Sequence, residues 1–170
     1  LLRRYPSWAA IAEAPPEEVV ATIQPGGLAP QKAPRIQAIL RAVGERSPAW
    51  DLAFLRELPL EDARAWLRAL PGVGPKTAAC VLLFALGRPA LPVDTHVERV
   101  ARRLGLVPLA TTAERAHELL EAQLRPRQVY AFHVDLIQHG RRTCHARAPA
   151  CQRCPLLARC PRVGLPPFVA

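Results

Sequence analysis

The chain has 170 residues, a formal net charge of +9, and 50% hydrophobic residues. That is enough for one or two small domains with real cores, and it excludes an intrinsically disordered chain. No apolar run approaches the ~18 residues of a membrane span, and no basic-then-apolar signal peptide opens the chain. The positive charge favours a polyanionic partner, nucleic acid ahead of an anionic membrane.

The predicted elements are helical from the start. Ser7 is a good N-cap for a helix over Trp8 to Ala14, and Pro15-Pro16-Glu17-Glu18 opens a second with acids in its first turn. Gly26-Gly27 breaks it. A third helix carries an apolar stripe of Ile36, Ile39, Leu40 and Val43, with Lys32, Arg35 and Arg41 on its solvated side or touching a polyanion. Ser47-Pro48 caps a short helix from Asp51 to Leu58. The next helix ends at Leu70 and has apolar Ala63, Trp66, Leu67 and Leu70 at i, i+3, i+4 and i+7.

The stretch Leu70-Pro71-Gly72-Val73-Gly74-Pro75-Lys76-Thr77-Ala78 organises the rest. Pro71-Gly72 ends the preceding helix, Gly74 frees the turn, and Pro75 suits the first position of a helix from Lys76 to Leu86. That helix is apolar nearly all round and is expected to be buried. The two glycines, with Val73 between them, expose backbone N–H groups beside the positive end of a helix dipole, which suits a phosphate. A plain helix–helix turn without a ligand has the same pattern.

Lys76 falls in the first helical turn, a poor place for a cation. Two of the 23 basic residues are lysines, Lys32 and Lys76, and the rest are arginines. A lysine kept at this point suits a task that arginine cannot do, which is to lose its proton and act as a nucleophile. Burial of the side chain would promote that loss.

Gly87-Arg88-Pro89 ends the helix, and Ala90-Leu91-Pro92-Val93 reads as extended. Asp94 caps a helix with apolar Val97, Val100, Ala101 and Leu104. Thr111-x-x-Glu114 reads as a capping box for another, with Ala116, Leu119, Leu120 and Gln123 on one side. Pro126 breaks the chain, and a last helix runs from Gln128 to Gly140. No alternating strand pattern is present, so the fold class is all-α.

Cys144, Cys151, Cys154 and Cys160 come next, with Pro149, Pro155 and Pro161 among them. Disulfides would need an oxidising compartment. Zinc favours two close Cys pairs, and only one is present. A [4Fe–4S] core can take one close pair and two wider spacings. The basic loop between the first two cysteines, with Arg147 in it and Arg142 just before, could grip phosphates. Cys80 reads as a core residue, His96 as packed or hydrogen-bonded, and His133, Asp135 and His139 as structural or backbone-contacting.

The Leu70–Ala78 stretch closely resembles the helix-hairpin-helix of the endonuclease III family of DNA repair glycosylases. The family's second signature stands here as Val93-Asp94-Thr95-His96, and the cysteine spacing matches its iron–sulfur loop. The resemblance covers the chain to about Pro161. It implies a helical bundle with the hairpin over residues 1–88, a smaller [4Fe–4S] domain over 89–163 held by Cys144, Cys151, Cys154 and Cys160, and a tail over 164–170. Lys76 and Asp94 would face each other across the cleft between these domains. The chain opens mid-pattern without Met, and the family's first helices are expected to be missing.

The function the resemblance implies is a bifunctional glycosylase and abasic-site lyase in base excision repair. It would act as a monomer in the cytoplasm, at the nucleoid, on duplex DNA containing damaged bases, oxidised pyrimidines first, or abasic sites. Lys76 would be the nucleophile, Asp94 the complementary carboxylate, and Gly72, Val73, Gly74, Arg142 and Arg147 the DNA contacts. The alternatives are a monofunctional mismatch glycosylase, whose members generally lack a lysine at this position, and a non-catalytic DNA-binding module.

Overall fold

The computed structural model describes residues 1–166, so the end of the 164–170 tail lies outside the described residues. Those residues contain helices and no strand. The chain divides into two compact units, Leu1–Gly74 and Pro75–Ala170. The segment after the hairpin packs through Leu83 into the core of the second unit.

The first unit holds α1 (Trp8–Glu13), α2 (Pro16–Ile23), α3 (Ala29–Arg46) and α4 (Leu60–Ala69). Ser7 caps α1 by accepting the Ala10 N–H, and Glu17 and Glu18 lie in the first turn of α2, as expected. Tyr5, Ile11, Val19 and Ala33 form the core, with Ile36 and Leu40 of the α3 stripe packed against it. The open end of α1 is closed from α3. Buried Gln37 donates to the carbonyls of Ile11 at 3.0 Å and Ala14 at 2.8 Å, and Arg41 donates to Ala12 O at 2.7 Å.

The predicted helix Asp51–Leu58 is instead a 3₁₀ turn, Ala53–Arg56. Ser47 does not cap it. Its hydroxyl donates to Asp51 Oδ1 at 3.1 Å, and that carboxylate takes the Ala53 N–H at 3.1 Å. An aspartate that bonds its own backbone two residues on favours a turn over a regular helix.

The second unit holds α5 (Pro75–Cys80), α6 (Thr95–Arg103), α7 (Ala113–Glu121) and α8 (Val129–Arg142). The predicted helix from Lys76 to Leu86 is α-helical only to Cys80 and continues as a π-helix over Val81–Ala85. Ala78, Ala79, Leu82 and Leu83 of this stretch are buried, but Phe84 is 52% exposed and meets Tyr130 and His133 edge-on. The cap of α7 is Thr112, one residue later than the predicted Thr111; its hydroxyl accepts the Arg115 N–H at 3.2 Å. A 3₁₀ turn over Pro126–Gln128 precedes α8.

Leu91, Val93, Val97, Ala101, Val107, Ala116, Leu120 and Val129 build the core of this unit. The connection 90–93 is extended and buried throughout, so its peptide groups need partners from elsewhere. Side chains supply them. Glu121 accepts the Leu91 N–H, His117 Nδ1 donates to Leu91 O at 2.9 Å, and His133 Nδ1 donates to Pro92 O at 2.8 Å.

Candidate functional site

The hairpin begins with a tight turn in which Val73 N donates to Leu70 O at 3.1 Å. Pro71 and Gly72 occupy its two central positions, and Gly72 has φ +79°, the combination a type II turn requires. A Cβ on Gly72 would lie 2.9 Å from Arg35 Cδ, which places that side chain beside the turn, and the positive φ is what calls for glycine. A Cβ on Gly74 would meet nothing within 4 Å, which leaves that side of the backbone open.

Pro75 starts α5, and Lys76 lies in its first turn. Lys76 is exposed rather than desolvated as the sequence suggested. A residue at a helix start whose neighbours Pro75 and Thr77 also reach solvent is not covered by its own helix.

Asp94 caps α6. Its Oδ1 accepts the His96 N–H at 2.9 Å and the Val97 N–H at 2.8 Å, which leaves Oδ2 outside the cap. The carboxylate comes directly after the strap 90–93, so the partners of the strap also position Asp94.

Lys76 and Asp94 both belong to the second unit, and both act on the same two side chains. Burial raises the Cys80 thiol pKa, while Lys76 lowers it and Asp94 raises it. Burial holds His133 below its ordinary value; its bond to Pro92 and the Asp94 carboxylate oppose that, and Lys76 adds to it. Cys80 and His133 thus lie within electrostatic reach of both the amine and the carboxylate.

Sequence reading placed Cys80 in the core, but it is half-buried within this group. His133 is backbone-contacting, as expected. Since Nδ1 gives its proton to Pro92 O, the neutral ring keeps its lone pair on Nε2. His96 is hydrogen-bonded. Its Nδ1 accepts from Arg99 Nη2 at 3.0 Å, and Arg99 also binds Gly140 O at 2.9 Å and Cys144 O at 3.0 Å.

Cys144, Cys151, Cys154 and Cys160 all line one pocket, walled otherwise mainly by apolar side chains such as Val100, Leu104, Leu156 and Leu157. All five cysteines of the chain are free thiols. Among the described residues, no three His, Cys, Asp or Glu side chains are gathered closely enough to hold a single metal ion. Four soft donors spread around an apolar cavity fit a larger iron–sulfur core better than one ion.

Cationic and polar hydrogens face the sulfurs as well. Arg103 Nη1 lies 3.2 Å from Cys144 Sγ and also donates to His145 O at 2.6 Å. His139 Nε2 lies 3.8 Å from Cys154 Sγ, a neighbour that sequence reading missed because the two are 15 residues apart. Arg142 and Arg147, the predicted DNA contacts of this region, are exposed.

A family model matches residues 1–126, that of the HhH-GPD superfamily base excision DNA repair proteins. The chain belongs to this superfamily. Within it, the chain is 36% identical over 143 residues to an endonuclease III of Thermotoga maritima, covering 84% of this chain and 62% of that protein. It is 40% identical over 135 residues to an endonuclease III of Treponema pallidum, covering 79% and 59%.

Among solved structures, an endonuclease III trapped as a covalent intermediate with DNA superposes with a TM-score of 0.77 at 34% identity, covering 94% of this chain and 71% of that one. A thermostable thymine-DNA glycosylase superposes at 0.70 and 25% identity, covering 93% and 70%. The chain spans 47% of a putative DNA glycosylase of Arabidopsis thaliana, to which it is 34% identical, and about three-fifths of the two endonucleases. Among the described residues, no helix is long and apolar enough to cross a membrane.

Proposed function

We propose that this HhH-GPD chain carries the chemistry of a bifunctional DNA glycosylase and abasic-site lyase. The observation that carries the reading is an exposed lysine in the first turn of α5, directly after the hairpin turn, in the same unit as an aspartate that caps α6. The endonuclease III relatives support the reaction class. The substrate is duplex DNA with a damaged base, oxidised pyrimidines first, or an abasic site. The site of action is then the nucleoid, and the enzyme works as a monomer.

The sugar C1′ is out of reach inside the stack, so the nucleotide must swing out of the duplex. Backbone contacts from Gly72, Val73 and Gly74, with Arg142 and Arg147, hold the distorted strand. Lys76 as the free amine attacks C1′, and the base leaves with the electrons of the glycosidic bond. The Asp94 carboxylate at the start of α6 stabilises the positive charge that develops on the sugar. The nitrogen loses one proton, the C1′–O4′ bond breaks as O4′ takes up a proton, and a protonated Schiff base forms. Loss of a C2′ proton then expels the 3′ phosphate and cuts the strand.

Cys144, Cys151, Cys154 and Cys160 would hold a [4Fe–4S] cluster, which ties the loop carrying Arg147 into one shape and supplies no step of the reaction. Protein purified anaerobically should then contain about four iron and four sulfide per chain. Stoichiometric zinc without iron, in cells supplied with iron, would sink this assignment.

Lys76→Gln tests the enzyme class. It should still bind DNA, but lose both strand incision and the covalent complex trapped by borohydride. Lys32→Gln should still trap, since Lys32 donates to Gly26 O at 3.0 Å within the first unit. Incision by Lys76→Gln at the parent rate overturns the assignment. Base release by the parent without any trapped complex replaces it with a monofunctional glycosylase.

A further inference from the structure

We infer that Arg35, from helix α3, is a phosphate-binding residue laid across the Gly72 turn, and that its ligand is a backbone phosphodiester of DNA. The inference rests on the DNA-binding reading above and adds to it a residue outside the hairpin motif.

Helix α3 carries four basic side chains: Lys32, Arg35, Arg41 and Arg46. Three are engaged within the first unit. Lys32 holds Gly26 O, Arg41 holds Ala12 O, and the Arg46 guanidinium lies 5.2 Å from the centre of the Phe54 ring. Arg35 is exposed and has no acidic partner or carbonyl acceptor among the described residues.

Its side chain is nevertheless in a defined place. A Cβ built on Gly72 would lie 2.9 Å from Arg35 Cδ, 3.2 Å from Nη1 and 3.4 Å from Nε. The stem and the guanidinium therefore lie beside the turn at Gly72. A cation beside a turn, with its donors unspent, can direct them to an anion that approaches the turn. The planar fork of donors suits the paired oxygens of a phosphodiester. Gly74 meets open space two residues on, so a strand can come close to the same backbone.

The test is the salt dependence of duplex binding by the whole chain. Each phosphate neutralised contributes ~0.9 to the slope of log affinity against log salt. Arg35→Gln should make the slope shallower by about that amount, and weaken lesion-bearing and undamaged duplexes by the same factor. Arg35→Lys keeps a point charge and should retain most of the slope. Arg4→Gln removes one charge from the exposed Arg4–Glu18 pair and should leave the slope at the parent value.

An unchanged slope in Arg35→Gln overturns the inference, as does an equal loss in Arg4→Gln, which would mark a net-charge effect. A lost slope accompanied by a lowered melting temperature in both Arg35→Gln and Arg35→Lys would mark a packing role and overturn it too. Absence of salt-dependent DNA binding in the parent would bring down the DNA-binding reading itself, a result distinct from the other three.

Discussion

The two units use the same device for different ends. In the first, Gln37 and Arg41 reach from α3 to the carbonyls at the end of α1 and so close a helix terminus. In the second, His117, Glu121 and His133 reach from α7 and α8 to an extended segment and so hold a strap. Both are buried side-chain-to-backbone bonds, and each removes the desolvation cost of an unpaired peptide group. The difference lies in what comes next along the chain. The end of α1 leads to the turn before α2. The strap leads straight to Asp94, so its bonds set the position of a carboxylate in the proposed reaction. Buried polar bonds of the same kind thus carry unequal functional weight.

The largest effect expected from breaking this comparison is at Asp94 itself. Asp94→Asn keeps an oxygen that can accept the His96 and Val97 N–H groups, so the cap survives at a cost below ~1 kcal/mol. It removes the negative charge. If Asp94 stabilises charge developing on the sugar, single-turnover base release should slow by about two orders of magnitude or more, with melting temperature and DNA affinity near the parent's. A parent-like rate would reduce Asp94 to a helix cap.

Most of the helices were legible because each is written locally. Ser7, the acids of α2, Pro75 and Asp94 are start signals that depend on a few adjacent residues, and the structure honours all of them. The misses depend on distant partners. Nothing near Val81 announces the π-helix. The role of Gln37 depends on carbonyls more than 20 residues away, and that of His117 on Leu91. The exposure of Lys76 is not legible because a helix that is apolar overall says nothing about cover at its first turn. The motif residues Lys76 and Asp94 could be named from sequence, whereas Cys80 between them could not, since a cysteine in an apolar helix is ordinarily core.

His133 sharpens the comparison at an intermediate level. His133→Ala leaves Pro92 O unpaired and should destabilise the chain by ~1–3 kcal/mol. It should also slow base release, though less than Asp94→Asn, because His117 and Glu121 still hold the strap. The pH dependence tests the histidine separately. In the folded chain its pKa lies below the ordinary 6.5, chiefly through burial. As pH falls below that value the unfolded chain binds more protons than the folded one, so stability drops; above it the contribution is fully present. His139 is lowered by burial in the same direction. Denaturation midpoints between pH 8 and pH 5 should therefore fall in the parent and fall less steeply in His133→Ala. Equal slopes would show that His133 does not titrate differently in the two states.

The smallest effect on chemistry should come from the matching bond of the first unit. Gln37 is 2% exposed, and its amide is the donor to Ile11 O and Ala14 O. Gln37→Leu keeps the volume and strands those carbonyls, at a cost of ~1–3 kcal/mol, the same range as His133→Ala. Helix α1 carries none of the groups assigned to DNA or to the reaction. At a temperature where the variant is fully folded, its trapping rate and salt slope should match the parent's, while its denaturation midpoint falls. If Gln37→Leu slows trapping as much as His133→Ala at equal loss of stability, the rates are following global stability. The strap would then hold no special place in positioning Asp94. A normal rate for Gln37→Leu beside a slowed His133→Ala would assign the slowing to the strap.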